Sequence, residues 1–230
     1  MPIMTDSDLA NALDNGELTI TPRPTSFQPA SIDLSVGEET FISSQEKITK
    51  LSNENLLLNM PPGEMVLVVT RERIELSARI VGHIGLRSSF ARQGLVLLAG
   101  LQIDPGFKGY LHIVLCNLSP SIISLAYAEP FCTVEFHKLA EDTKKPYIGP
   151  YQQQGSITPN EIRDIRKGSG FGLSEAIQNM QVMSRDVASL KDSVEKLIRA
   201  SSIKETIMIT LLATLVCGVV SALWVMIAGR

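Results

Sequence analysis

The chain is short of cysteine, short of histidine and without a surplus of positive charge, and each shortage excludes something. Its three cysteines, Cys116, Cys132 and Cys217, lie far apart and are odd in number. They make neither a disulfide framework nor a metal-binding set, and they fit a reducing compartment. The three histidines, His83, His112 and His137, lack zinc-ligand spacing, so each reads as a strand or surface residue. Lys and Arg number 21 against 24 Asp and Glu, a formal net charge of −3. No large basic surface follows, and nucleic acid is not expected as the ligand. Residues 1–17 are polar and acidic, so no N-terminal signal peptide is expected. A length of 230 residues accommodates one ordinary domain and an appendage.

What is present concentrates between Gly85 and Asn117. Arg87-Ser88-Ser89-Phe90-Ala91-Arg92 puts two cations and two hydroxyls within one turn of chain. Arg donates in a fixed fork and Ser adds short hydrogen bonds, which suits an oxyanion. Ile103-Asp104-Pro105-Gly106-Phe107-Lys108-Gly109 sets a carboxylate before a Pro-Gly turn and an aromatic ring. Between them, Gly94 to Leu101 is nearly all Leu, Val, Ala and Gly, and reads as a buried β-hairpin with Ala99-Gly100 near its tip. A hairpin joining phosphate donors to a carboxylate is one reading of this stretch. A surface Arg-Ser turn followed by a capping Asp is the other.

Around this stretch the pattern is mostly β. Thr5 to Asn15 reads as a short helix, capped by Thr5 or Ser7 and stopped by Gly16. Leu18 to Ile20, Ile32 to Val36, Met65 to Thr70, Tyr110 to Asn117, Ser124 to Tyr127 and Phe131 to Phe136 read as strands. Many short strands between Gly, Pro, Asn and Ser turns argue for a barrel or sandwich. From Glu141 the composition turns to Gly, Gln and Pro, an arm ending in Arg166-Lys167-Gly168-Ser169-Gly170-Phe171-Gly172. This string suits either a phosphate-wrapping loop or a plain linker.

The tail differs again. Met180, Met183, Val187, Leu190, Val194 and Leu197 follow 3-4-3-4-3 spacing, the seam of a coiled coil, with Asp186 and Lys191 at flanking positions. A single amphipathic helix is the alternative. Ile207 to Ala228 carries no charge and is long enough to cross a ~30 Å hydrocarbon core at 1.5 Å per residue. Trp224 fits an interfacial anchor, and Arg185, Lys191, Lys196, Arg199 and Lys204 precede the run. By the positive-inside rule the expectation is a single-pass C-terminal membrane anchor with its head in the cytoplasm. The domain reading is therefore 1–140 β domain, 141–172 arm, 173–204 coiled coil and 205–230 anchor.

RSSFARQG, IDPGFKG and the strand ending at Asn117 together resemble the dCTP deaminase and trimeric dUTPase superfamily. SDLANALDNGELTITP with QPASIDLSVG (residues 7–37), and KPYIGPYQQQG (residues 145–155), are similar to deaminase-type segments. Several motifs in order over about 150 residues are far more specific than any one of them. The resemblance implies a mainly β fold, a distorted jelly-roll barrel that assembles as a homotrimer.

It also implies chemistry. Deaminases carry a catalytic Glu three residues before the Asn that closes the strand, and here that position is Val114. Trimeric dUTPases place a small apolar residue there and a water-activating Asp where Asp104 stands, with Phe107 under the deoxyribose. The implied activity is dUTP hydrolysis to dUMP and diphosphate. Asp104 would be catalytic. Arg87, Ser88, Ser89, Arg92, Gln102, Phe107, Tyr147, Gln154 and Phe171 would bind the deoxyribonucleoside triphosphate, and Arg87 would also orient Asp104 or its turn. Mg²⁺, held mainly by the triphosphate, would be the cofactor. Asp33 matches a position near a subunit junction. Two alternatives stay open: dCTP deamination, alone or coupled to hydrolysis, and a catalytically inactive nucleotide-binding sensor or scaffold at a membrane. His112 shares a strand face with Val114, as a substitute proton carrier or as a packing residue.

Overall fold

The computed structural model describes residues 2–98, 100, 102–169 and 173–228, with the side chains of 169, 173–178, 200–202, 205, 223 and 225–228 outside that description. Residues 1–178 form one compact unit and residues 179–230 another. The first is mainly β, as its alternating apolar pattern predicts.

Helix α1 (Asp6–Asp14) opens it. Thr5 accepts the Asp8 N–H while Asp8 accepts the Thr5 N–H, a reciprocal cap that satisfies two orphan donors. Strands follow at Leu18–Thr21 (β1), Ile32–Ile42 (β2), Thr49–Lys50 (β3), Leu57–Met60 (β4), Met65–Leu76 (β5) and Ile80–Leu86 (β6). A one-turn helix, Ser88–Ala91 (α2), then leads to Leu95–Leu97 (β7), Gln102–Ile103 (β8), Lys108–Asn117 (β9), Ile123–Ala126 (β10) and Pro130–Lys138 (β11). Helices α3 (Pro159–Ser169) and α4 (Leu173–Ala228) close the chain.

Among the described residues, seven strands run in the order β7-β9-β5-β2-β11-β6-β8, with β1 added on β5 and β3 on β2, while β10 and β4 pair separately. Every named pairing is antiparallel. The sheet curls about one apolar core that draws Leu34, Val68, Ile113, Phe131, Val134 and Phe136 from four of its strands and Leu9 from α1. Register shifts in β2 and β5 bend it. A smaller cluster on the opposite face, Phe41, Leu67 and Val69, is covered by Ile157, Ile162 and Ile165 of the arm and α3.

Three expectations need correction here. The run from Gly94 to Leu101 is not a hairpin: β7 pairs with β9 and β8 with β6, so the two strands find different neighbours. Ala99 and Leu101 lie outside the described residues. The Gly-rich end of the arm is not a loop over residues 166–169, because Arg166 to Ser169 complete α3. Gly170, Phe171 and Gly172 lie outside the described residues, and with them the placement of Phe171.

The third correction concerns the tail. No helix, among the described residues, is long and apolar enough to cross a membrane. The expected transmembrane anchor is accordingly not supported. Nor is the coiled coil formed within one chain, since Met180, Met183, Val187, Leu190, Val194 and Leu197 are 52–71% exposed. What stands is one helix whose hydroxyls turn inward: Thr210 donates to the Thr206 carbonyl at 2.8 Å and Thr214 to the Thr210 carbonyl at 3.1 Å.

Candidate functional site

Asp104, Pro105, Gly106 and Phe107 form a type II turn. Pro supplies the fixed φ, Gly106 stands at φ +87, and the Phe107 N–H closes the turn on the Asp104 carbonyl at 3.1 Å. The turn drops the Phe107 ring into the core and leaves Asp104 half-buried at the mouth of a cavity of about 650 Å³. Gln102 donates from Nε2 to Asp104 Oδ1 at 2.5 Å, which fixes the carboxylate from the preceding strand.

The arm completes the cavity. The Tyr147 N–H donates to the Pro105 carbonyl at 2.8 Å, and the Tyr147 and Phe107 rings lie 6.0 Å apart. The Gln153 N–H bonds the Lys108 carbonyl at 2.8 Å, and the Tyr110 N–H bonds the Gln154 carbonyl at 2.9 Å. Gln152 reaches back to the Lys108 N–H and the Gly106 carbonyl. This close seating requires glycine at 109, with φ +147: a Cβ there would lie 2.7 Å from the Gln154 nitrogen. Tyr147, Tyr151 and Gln154 thus line the cavity beside Asp104.

β9 alternates, with Leu111, Ile113 and Leu115 buried in the main core and Tyr110, His112 and Val114 on the other face. His112 and Val114 line the cavity together with Glu161 and Asp164 of α3. Glu161 is saturated. Its Oε1 accepts from Gln154 Nε2 at 2.9 Å and lies 2.6 Å from His112 Nδ1. Its Oε2 accepts the Thr158 N–H and hydroxyl, both at 2.8 Å. Burial alone would push this carboxyl up, but the bonds from His112 and Thr158 outweigh it and hold it down at about 2. His112 Nε2 sits 2.8 Å from the Gly155 carbonyl, so both ring nitrogens face oxygen atoms. His112 is therefore a side chain tethered at both ends.

The phosphate-binding candidates lie elsewhere. Phe90 anchors α2 in the core, leaving Ser88, Ser89 and Arg92 exposed. None of the three lines the Asp104 cavity of its own chain, and among the described residues no Lys or Arg does. Arg87 does not orient Asp104: its Nη1 pairs with Asp33 Oδ2 of β2 at 2.6 Å, which ties α2 to the sheet. The expected set thus divides into Asp104, Gln102, Phe107, Tyr147 and Gln154 around one cavity, and Ser88, Ser89 and Arg92 on a separate surface.

The sequence reading missed Glu161. A signal for it was present in Thr158-Pro159-Asn160-Glu161, a cap residue, a proline at the first helical position and a Glu three residues on.

Residues 3–139 match the model of the dCTP deaminase-like family. The chain belongs to the dCTP deaminase-like family. Within it, the chain is 39% identical over 150 residues to a dCTP deaminase of Thermococcus sibiricus, a match covering 64% of this chain and 94% of that protein. It is 32% identical over 157 residues to a probable deoxyuridine 5'-triphosphate nucleotidohydrolase of Sulfolobus islandicus rod-shaped virus 1, covering 68% and 96%. In fold it is similar to the 2'-deoxycytidine 5'-triphosphate deaminase of Agrobacterium tumefaciens, with a TM-score of 0.51, 16% identity and coverage of 60% of this chain and 48% of that one. Family members act on nucleotides as deaminases or hydrolases, and this chain is an enzyme of that kind.

Proposed function

We propose that this enzyme hydrolyses dUTP to dUMP and diphosphate. One observation carries the reading. On the cavity-facing side of β9 the position that would hold a deaminase carboxylate is Val114, which carries no proton. The nearby carboxylate, Glu161, has both oxygens occupied and stays ionised down to about pH 2, a poor match for proton transfer near neutrality. Of the cavity's other two carboxylates, Asp164 is exposed on α3, while Asp104 is half-buried and held by Gln102, and it is Asp104 that would accept a proton from the attacking water.

The products follow from what is cut. Water adds at the α-phosphorus, the bond from that phosphorus to the bridging oxygen breaks, and diphosphate leaves. The water's proton passes to Asp104. Phe107 and Tyr147 offer ring faces to the nucleoside, and Gln154 an amide.

A triphosphate entering a cavity lined by Asp104, Glu161 and Asp164, with no Lys or Arg among the described residues, needs positive charge from outside it. Ser88, Ser89 and Arg92 of a second copy would supply donors in a homotrimer. Mg²⁺ fits the same deficit: hard oxygen donors suit it, and it would be held mainly by the phosphates. Bound there, it would neutralise charge developing on them.

Asp104→Asn tests the assignment. Hydrolysis of dUTP should fall about a thousandfold while a non-hydrolysable analogue, α,β-imido-dUTP, still binds. Mixing Asp104→Asn with Arg92→Ala protein should restore part of the activity if copies share sites. Unchanged hydrolysis in Asp104→Asn would remove the proposed base. The relatives' names favour a second reading, deamination of dCTP. Ammonia released from dCTP, with no diphosphate from dUTP, would establish it instead.

A further inference from the structure

The arm and α3 supply six residues of the cavity wall, Tyr147, Tyr151, Gln154, Glu161, Asp164 and Ile165. None belongs to the β sheet, so the wall exists only while these segments stay docked. The docking converges on a single carboxylate. Glu161 binds its own helix start through Thr158, the arm through Gln154, and strand β9 through His112. The His112 side chain is 4% exposed and that of Glu161 18%, so water competes little for the pair. His112 adds a second tie, to the Gly155 carbonyl.

Resting on the dUTP reading of the same cavity, we propose that Glu161 is a positioning residue that latches the arm and α3 to β9 and so sets nucleotide affinity. A nucleotide that binds only the latched form is bound in proportion to the fraction of molecules latched. Removing the latch therefore weakens binding, and it leaves Asp104 and Gln102, which belong to the turn and β8, in place.

Glu161→Gln is the test, being of the same size. It provides one acceptor oxygen where the carboxylate provides two, and it turns an amide donor toward donors. Three quantities are measured beside the unaltered enzyme: affinity for α,β-imido-dUTP by calorimetry, kcat and KM for dUTP, and hydrogen exchange of the Tyr110 and Gln153 amides without ligand. The expected result is affinity weakened and KM raised by about 30-fold, the order expected when a hydrogen bond to a carboxylate is lost. Those two amides should exchange faster by a similar factor, with kcat within about threefold. Amide exchange at the original rate overturns the latch. Faster exchange with unchanged affinity overturns its link to binding. A collapse of kcat with KM and exchange unchanged would place Glu161 at the reacting atoms and overturn the positioning role. If the unaltered enzyme binds no deoxyuridine or deoxycytidine nucleotide, the proposed function fails, while the exchange comparison still decides the latch.

Discussion

Replacing Gly109 by alanine separates the arm from the β core. The new Cβ would stand 2.7 Å from the Gln154 nitrogen and 2.9 Å from its oxygen. Both are backbone atoms in a hydrogen-bonded bridge, so no side chain can swing aside. An alanine at φ +147 is also strained, by about 1–3 kcal/mol. If the arm lifts to relieve the clash, the Tyr110 to Gln154 and Gln153 to Lys108 bonds are lost, each worth about 1 kcal/mol. The docked arm should weaken by about 3 kcal/mol, close to a hundredfold in its opening equilibrium. Hydrogen exchange at the Tyr110 amide should accelerate by that factor, and nucleotide affinity should fall with it. The strands pair independently of residues 145–158, so the main melting transition should move much less. Gly155→Ala serves as the control, because a Cβ there meets nothing within 4 Å. If Gly109→Ala leaves Tyr110 exchange at its original rate, the seating of the arm described above is wrong.

Other consequences can be measured on the same protein. Phe136 is fully buried, so Phe136→Ala should destabilise by about 3–5 kcal/mol and lower the melting temperature by roughly 10 °C, read by calorimetry. Acid should release the arm before it unfolds the core. The docked Glu161 carboxyl is held at about 2, below its ordinary 4.5, so its stabilisation is complete above about pH 4.5 and is lost as pH falls toward 2. The loss should reach about 2–3 kcal/mol, read as Tyr110 exchange or arm proteolysis against pH. The groups facing Glu161 are His112 of β9 and Gln154 and Thr158 of the arm, with Asp164 and Asp104 on the same cavity. The acid step should be absent in Glu161→Gln.

Local chemistry was legible and long-range pairing was not. Thr5 as a cap and Gly16 as a stop announced the first helix, and Pro105-Gly106 announced the turn that presents Asp104. The strands follow from β-branched and alternating residues. Their partners do not, because a short apolar strand such as Leu95–Leu97 carries no mark of whether it joins β8 or β9. Arg87 was grouped with the turn at Asp104, which is near in sequence, but its partner Asp33 lies 54 residues away. The Gly-rich end of the arm suggested a loop, yet capping by Thr158 and packing of Ile162 and Ile165 on Phe41 and Leu67 override the propensity of Gly168. The uncharged run near the end of the chain suggested a membrane span from composition alone, which the described helix does not provide.

The alternation of β9 constrains how this enzyme can vary. Neighbouring positions in one strand serve opposite faces, with Ile113 packed in the main core, Val114 against the smaller cluster, and His112 bonded to Glu161 of α3. Loss or gain of one residue between Lys108 and Asn117 would exchange the two sets, sending an imidazole inward and isoleucine outward. The cavity wall can therefore change through point changes at 112 and 114, whereas the length of this strand is frozen.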